Sequence, residues 1–355
     1  MLLNLIYFIG LIGLGFIFSL PMFVYVSKNT LYEYKIKNDV WIYMWFFSLF
    51  CTSALYFILP DFKDMIYDLE YGKIVAVFAL AAFIYIAFLL ENKLLMYMVM
   101  ALSSAIVTFL VPDSVSIFEG YIPLWSERLI VFASVFFITF FAKILNGLPA
   151  IFAIFILSGL FGMMCLSGFG GVPLLFGIFA ALLGGMWLGF LRFNWYPSEI
   201  VLNEGACASA GFLLSGFLLL GTIEFSGPSI LVLLSYLFAE IIWVLIRSYL
   251  WRIKEPDLYN NTAYFVCYTK DISLDAILVS VVKIGIINII FSCFQLYAPN
   301  PFSMPIFTLV VNLWLLNMLY HASENNLSFR ETNEAFVDDV KKGLSTVKEA
   351  FKRRK

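Results

Sequence analysis

Long apolar runs separated by short polar breaks fill the chain from its first residues to about residue 320. Most runs are continuous over about 20 residues, the length that an α-helix needs to cross the hydrocarbon core of a bilayer. They do not show the alternating polarity of the ten-residue strands in a membrane β-barrel. The pattern therefore predicts an all-α, polytopic membrane helix bundle.

Eleven spans are predicted, and they divide the chain into two parts. We expect residues 1–325 to form a transmembrane domain and residues 326–355 to form a tail. The first span is expected to remain as a helix, because no basic leader precedes it and its apolar stretch is too long for the core of a signal peptide. The predicted spans are residues 2–27, 40–60, 74–90, 94–111, 128–142, 149–167, 173–190, 206–224, 229–250, 276–296 and 303–320.

Lysine and arginine are distributed very unevenly between alternate loops. One set of loops, together with the tail, holds 18 of the 22 basic residues. The other set holds only Lys63, Lys73 and Arg128, and Lys283 lies within a span. Because cytoplasmic loops carry the excess of basic residues, we expect the N-terminus outside and the C-terminus in the cytoplasm.

Composition excludes a water-soluble fold. Hydrophobic residues make up 62% of the chain and charged residues only 13%, against roughly 25% charged residues in soluble domains. The five cysteines are scattered, mostly within or beside spans, with no Cys-x-x-Cys pair. We therefore expect the cysteines to fill space among apolar side chains rather than to form disulfides or bind zinc. We also expect no nucleic-acid partner.

Four polar segments fall on the predicted cytoplasmic face, namely residues 91–93, 143–147, 191–205 and 247–275. Their clustering suits a site that takes a water-borne substrate and a lipid partner at the membrane surface. The alternative is that these loops are polar only because cytoplasmic loops generally are.

The segment 189–200 reads Gly-Phe-Leu-Arg-Phe-Asn-Trp-Tyr-Pro-Ser-Glu-Ile, a dense mixture of aromatic, proline and amide residues for a connector. It resembles the G-F-L-x-[FW]-N-x-P-P-A-x-I-F-M-G-D-x-G-S signature of the polyprenyl-phosphate N-acetylhexosamine-1-phosphate transferases, glycosyltransferase family 4. The match runs without gaps through Gly211-Phe212, is good over 189–265 and is weaker over 82–150. The resemblance implies a multi-pass protein of a bacterial plasma membrane that works in envelope glycan synthesis.

The resemblance also implies a chemistry and its ligands. Family members move a phospho-sugar from a UDP-sugar to polyprenyl phosphate, release UMP and use Mg²⁺. Family positions for substrate binding fall on four residues: Asn194, Pro197, Glu240 and Arg247. The family's nucleotide loop falls on residues 259–264, where its histidines are absent.

The metal-site motifs of the family are degraded in this chain. An Asp-Asp pair has become Glu91-Asn92, two further aspartates have become Lys143 and Asn146, and Gly-Asp-x-Gly has become Asn203-Glu204-Gly205-Ala206. Only two carboxylates remain as metal ligands, whereas Mg²⁺ prefers anionic oxygen. A lysine ammonium ~4 Å from the Mg²⁺ ion would disfavour binding of the ion by roughly 4 kcal/mol per unit charge. Alternatively, the ammonium group could take the place of the ion. The degenerate catalytic positions are Glu91, Asn92, Asn146 and Glu204, of which Glu91 and Glu204 would hold a metal if one is bound.

Two charged residues lie inside predicted spans, where an ionisable side chain is costly and usually faces a partner or a cavity. Glu240 and Lys283 could form an ion pair across neighbouring spans, which we favour, or Glu240 could serve the site. Glycines in the spans, such as Gly162, Gly185 and Gly189, are expected to allow close helix packing rather than to cradle phosphate.

The tail opens with Ser328-Phe329-Arg330-Glu331, a capping-box pattern that predicts a helix start. Apolar residues then recur every three or four positions beside many lysines. This pattern is typical of an interfacial helix attracted to anionic lipid. Docking on a protein partner is the alternative.

Three functions compete. We favour a family descendant whose catalysis is impaired or lost and which acts by binding lipid or a partner. The second is an active, divergent phosphoglycosyl transferase that uses Glu91, Glu204 and Glu240. A transporter is disfavoured, because the sequence shows neither broken-helix repeats nor regular intramembrane charges.

Overall fold

The computed structural model describes residues 2–29, 39–58, 70–111, 117–118, 120–196, 198–222, 226–250, 262–270 and 272–325. Over these ranges the regular elements are all helices, which confirms the all-α prediction. A 3₁₀ helix spans Ala142–Gly147. The α-helices are α1 (Leu2–Asn29), α2 (Asp39–Ile58), α3 (Glu70–Leu89), α4 (Lys93–Leu110), α5 (Leu124–Phe141), α6 (Ile151–Gly168), α7 (Leu174–Asn194), α8 (Glu204–Leu220), α9 (Gly227–Leu250), α10 (Ala263–Thr269), α11 (Leu274–Gln295) and α12 (Ser303–Asn325).

Each of the eleven predicted spans coincides with one of these helices. Among the described residues, nine helices are long and apolar enough to cross a membrane. The other two predicted spans contain shorter apolar stretches, Val40–Phe50 in α2 and Glu204–Leu220 in α8. The chain is therefore a multi-pass membrane protein.

Two short elements differ from the prediction, and both lie in segments read as loops. The 3₁₀ helix prolongs α5 by six residues, and the seven-residue α10 lies within the predicted loop 247–275. A search for long apolar runs misses elements of this length, because tertiary contacts rather than apolar periodicity stabilise them.

The helices α6, α7, α8 and α9 form the centre of the bundle. In α6, 83% of the residues in the membrane-spanning stretch are buried within the protein, whereas the figure for α1, at the periphery, is 28%. The sequence of α6 is apolar on every face, as expected of a helix surrounded by other helices. In a membrane protein the outer surface of the peripheral helices contacts lipid and is apolar too. Exposed large apolar side chains such as Phe109 and Trp125 are therefore expected.

Close approach between α1 and α7 depends on glycine. A Cβ atom at Gly185 would lie 2.2 Å from the backbone oxygen of Ile12, and one at Gly15 would lie 2.3 Å from that of Leu182. Gly189 and Gly162 are similarly crowded, by Ser19 and by Leu233. The predicted packing role of these glycines is confirmed.

The helices α6 and α11 run in the same direction. At their starts, the Tyr264 hydroxyl of α10 donates to the Ile144 carbonyl of the 3₁₀ helix. At their ends, a Cβ atom at Gly171 would lie 2.6 Å from Leu296 Cδ2. The bundle therefore has one end that carries the 3₁₀ helix and α10, and an opposite end that carries the segments after α6 and α11.

Candidate functional site

The 3₁₀ helix Ala142–Gly147 is the hub of the candidate site. After it, Leu148 is extended and Ala150 adopts a left-handed conformation with φ 68°, so the chain turns sharply before α6. A non-glycine residue in this conformation is strained unless its surroundings fix it. Side chains from α7, α8 and α10, and the segment before α8, hold this hub in place.

An ion pair joins the hub to α8. Lys143 Nζ lies 3.1 Å from Glu204 Oε2, and the Lys143 side chain is 17% exposed while that of Glu204 is 58% exposed. Glu204 lies in the first turn of α8, where the helix dipole favours a negative charge. Asn203 caps the same helix by accepting a hydrogen bond from the Ala206 amide at 2.7 Å. The resemblance implies a metal-site aspartate at position 143, and the lysine present there pairs with Glu204.

Two asparagine amides hold the surrounding backbone. Asn146 Nδ2 donates to the Leu202 carbonyl at 2.7 Å. Asn194, only 3% exposed, accepts from the Ala150 amide at 2.7 Å and donates to the Ile200 carbonyl at 2.6 Å. These bonds keep Ala150 in its unusual conformation and hold Ile200 and Leu202 near the hub.

Glu240 supports the site from inside the bundle. It is 1% exposed and accepts hydrogen bonds from the Ala263 amide at 3.1 Å and the Tyr236 hydroxyl at 3.3 Å. It thus anchors the start of α10, whose Tyr264 bonds the hub. The favoured pairing with Lys283 is wrong, because Lys283 is exposed on α11 while the Glu240 oxygens are held by α9 and α10.

A cationic pair flanks Tyr320 of α12. Arg247 Cζ lies 5.1 Å and Lys270 Nζ lies 4.3 Å from the centre of the Tyr320 ring, within the range of cation–π attraction. Arg247 Nη1 is buried and has no hydrogen-bond partner among the residues that the structure describes. The sequence predicted Arg247 at the site but gave no signal for Lys270 or Tyr320, because their proximity depends on how α10 and α12 pack.

Glu91 and Asn92 form the tight turn between α3 and α4. Glu91 is exposed with φ 54°, and Asn92 Oδ1 caps α4 by accepting from the Leu95 amide at 3.2 Å. A Cβ atom at Gly205 would lie 2.7 Å from Phe88 Cβ, so the start of α8 packs on the last turn of α3. The structure joins Glu204 to Lys143 and not to Glu91.

Several predicted site residues lie outside the described ranges. These are Pro197, residues 259–261 of the predicted nucleotide loop, and the tail from residue 326.

The residues present do not fit a magnesium site. Across the described ranges, nowhere do three His, Cys, Asp or Glu side chains gather in a way that could hold a metal ion. Glu204 is neutralised by Lys143, whereas Mg²⁺ demands several hard oxygen ligands at about 2.1 Å. Arg247 and Lys270, beside Tyr320, add positive charge at the same end of the bundle.

Two curated relatives are similar to part of the chain. The phospho-N-acetylmuramoyl-pentapeptide-transferase of Prochlorococcus marinus (strain MIT 9313) is 30% identical over 147 residues, 41% of this chain and 38% of the relative. The enzyme of the same name from Synechococcus sp. (strain RCC307) is 35% identical over 97 residues, 27% of each protein. The similar region thus covers about two fifths of the first relative's length and about a quarter of the second's.

These similarities confirm the family resemblance drawn from the motifs. No family model matches the chain.

Proposed function

We propose that this protein binds a polyprenyl phosphate lipid at the candidate site and that magnesium-dependent transfer of a phospho-sugar is impaired. The relatives named above are phospho-sugar transferases by name, which supports the general kind of ligand. The observation that carries the proposal is the ion pair between Lys143 and Glu204, at positions where the resemblance implies metal-site carboxylates.

A phosphate group needs nearby positive charge to leave water. Lysine binds phosphate as a compact point charge, and arginine binds it through a planar fork of donors. Lys143 is balanced by Glu204, whose half-exposed carboxylate a phosphate could displace. Arg247 offers a buried Nη1 group without a hydrogen-bond partner in the described part of the chain. These two cations are our candidates for phosphate contacts, and Asn146, Asn194 and Glu240 shape the backbone around them.

The setting follows from the same resemblance. We place the site on the cytoplasmic face of a bacterial plasma membrane, where a UDP-sugar could reach it as a second ligand. We further propose that the basic tail binds anionic lipid, with a protein partner as the alternative.

The proposal is tested with the full-length protein in nanodiscs. Undecaprenyl phosphate is titrated in the presence of Mg²⁺ and again in the presence of EDTA, and UMP release is followed with a panel of UDP-sugars. We expect saturable binding of equal affinity under both conditions and no UMP. Geranylgeraniol, which lacks the phosphate, is the matched ligand control and should bind at least tenfold more weakly.

The active, divergent transferase is the second candidate, and the exposure of Glu204 favours it because a reacting group must be reachable. UMP release that requires Mg²⁺ would establish that function and overturn the impaired one. Absence of phosphate-dependent binding would overturn the lipid-binding role.

A further inference from the structure

The interface between α6 and α11 brings two cysteines together that lie far apart in the sequence. Earlier along the same interface, Ser158 Oγ donates to the Gly285 carbonyl at 3.3 Å. Such a contact needs close helices, and Gly285 allows it because it carries no side chain. This pair fixes which faces of α6 and α11 meet.

Two helical turns further on, the same interface carries Cys165 and Cys293. Cys165 lies seven residues after Ser158, and Cys293 lies eight residues after Gly285. With 3.6 residues per turn and 1.5 Å per residue, Cys165 lies about 20° around the helix from Ser158 after a rise of about 11 Å, and Cys293 lies about 80° around from Gly285 after a rise of about 12 Å. Cys165 and Cys293 thus lie between two close approaches of these chain segments, Ser158 to Gly285 and Gly171 to Leu296, and both thiols are free in this structure.

The position of this thiol pair distinguishes it from the other described cysteines. Cys165 and Cys293 are partly exposed, whereas Cys207 and Cys267 are fully buried. Cys165 lies three residues before the end of α6 and Cys293 two residues before the end of α11. Both therefore lie at the end of the bundle opposite the candidate site, which the lysine and arginine distribution places outside the cytoplasm.

We propose that Cys165 and Cys293 are a redox-modified pair that forms a disulfide on the outer side of the membrane. Extracytoplasmic compartments are where disulfides persist. The co-reactant is a disulfide-bearing oxidant. The thiolate of one cysteine attacks a sulfur of that oxidant, forms a mixed disulfide and releases the first thiol of the oxidant.

The second cysteine thiolate then attacks the protein sulfur of the mixed disulfide. The bond between Cys165 and Cys293 forms, and the second thiol of the oxidant leaves. The two protons lost by the cysteines end on the two released thiols, so the protein is oxidised by two electrons and the oxidant is reduced by two. The product links α6 to α11 covalently across a long segment of chain that includes α7, α8 and α9.

The test uses full-length protein in nanodiscs, treated with oxidised glutathione and then with an alkylating reagent. Digestion without reduction, followed by mass spectrometry, identifies which cysteines are joined. We expect a cross-linked pair of peptides containing Cys165 and Cys293, lighter by two hydrogens than the sum of the free peptides and separated by a reductant. Oxidation should also raise the thermal midpoint of unfolding by several degrees, because a cross-link restricts the unfolded chain.

Cys165→Ala and Cys293→Ala should each abolish the cross-link and the rise in midpoint, while the matched control Cys207→Ala should keep both. Full alkylation of Cys165 and Cys293 after oxidation of the wild-type protein would overturn the proposal, whether or not the variants fold. So would a cross-link that joins other cysteines. This outcome is independent of lipid binding at the opposite end of the bundle.

Discussion

At the scale of single residues, Asn194 illustrates how a motif residue can act through the backbone. Its buried amide accepts from Ala150 and donates to Ile200, so one side chain satisfies two backbone groups that no helix pairs. Buried polar groups left without a partner cost about 1–3 kcal/mol each. Asn194 is therefore a residue on which the shape of the site depends.

We predict that Asn194→Ala lowers stability by about 2–5 kcal/mol, because the Ala150 amide and the Ile200 carbonyl both lose their partner. Thermal unfolding in one detergent at one scan rate measures the effect. The control is Asn92→Ala, which removes only an exposed helix cap worth about 1 kcal/mol. Equal midpoints for the two variants would contradict this role for Asn194.

The sequence named candidate site residues but not their bonding partners, and their role in a functional site stays a prediction. Asn146 and Glu204 bond from or to the hub, Asn194 bonds the turn after it, and Glu240 holds the start of α10, but the sequence did not identify the amides and carbonyls that these side chains bond. Lys143 and Glu204 are 61 residues apart. Residue spacing predicts on which face of a helix a side chain lies but not which other helix packs against that face. For the same reason the predicted pairing of Glu240 with Lys283 is wrong.

At the scale of helices, two kinds of contact hold the bundle together. The first is close backbone approach at glycine, as between α1 and α7. The second is hydrogen bonding between buried polar side chains. Asn312 of α12 donates to Ser235 of α9 at 2.8 Å and to Asn288 of α11 at 3.0 Å. In lipid, both replace the hydrophobic effect that joins helices in water.

The glycine contact gives a prediction with an internal control. Gly185→Ala should lower the thermal midpoint by several degrees, because the new Cβ atom would meet the backbone of α1 and force the helices apart. Gly13→Ala should leave the midpoint unchanged or raise it, since nothing lies within 4 Å of that position and alanine favours a helix by about 1 kcal/mol. Similar changes in both variants would contradict the packing role.

The long helices could be predicted from sequence because an apolar run of sufficient length is enough to specify a span. The 3₁₀ helix and α10 could not, since each depends on bonds to distant residues such as Tyr264 and Glu240. The position of Cys165 and Cys293 at one helix interface was equally hidden, and the cysteines were expected to be apolar fillers.

At the scale of the whole molecule, the bundle has two chemically different ends. One end gathers the 3₁₀ hub, the ion pair and the cations around Tyr320. The opposite end carries the thiol pair. The lysine and arginine distribution predicts that the first end faces the cytoplasm, and this orientation remains a prediction.

We propose that the ion pair between Lys143 and Glu204 stands where the family's metal ion would bind. A phosphate must then compete with Glu204 for Lys143. Removing the carboxylate should help phosphate binding, whereas removing the ammonium should weaken it. A metal site predicts the opposite for the carboxylate, because Glu204 would then be a ligand.

The most direct test compares the affinity of Glu204→Gln and Lys143→Ala for undecaprenyl phosphate in nanodiscs, with Lys93→Ala as a control for an exposed lysine on the same face. A charged hydrogen bond contributes about 1.5–3 kcal/mol, and 1.4 kcal/mol corresponds to tenfold in affinity. We predict binding about tenfold tighter for Glu204→Gln, about tenfold weaker for Lys143→Ala and unchanged for Lys93→Ala. Weaker binding by Glu204→Gln that depends on Mg²⁺ would contradict the account.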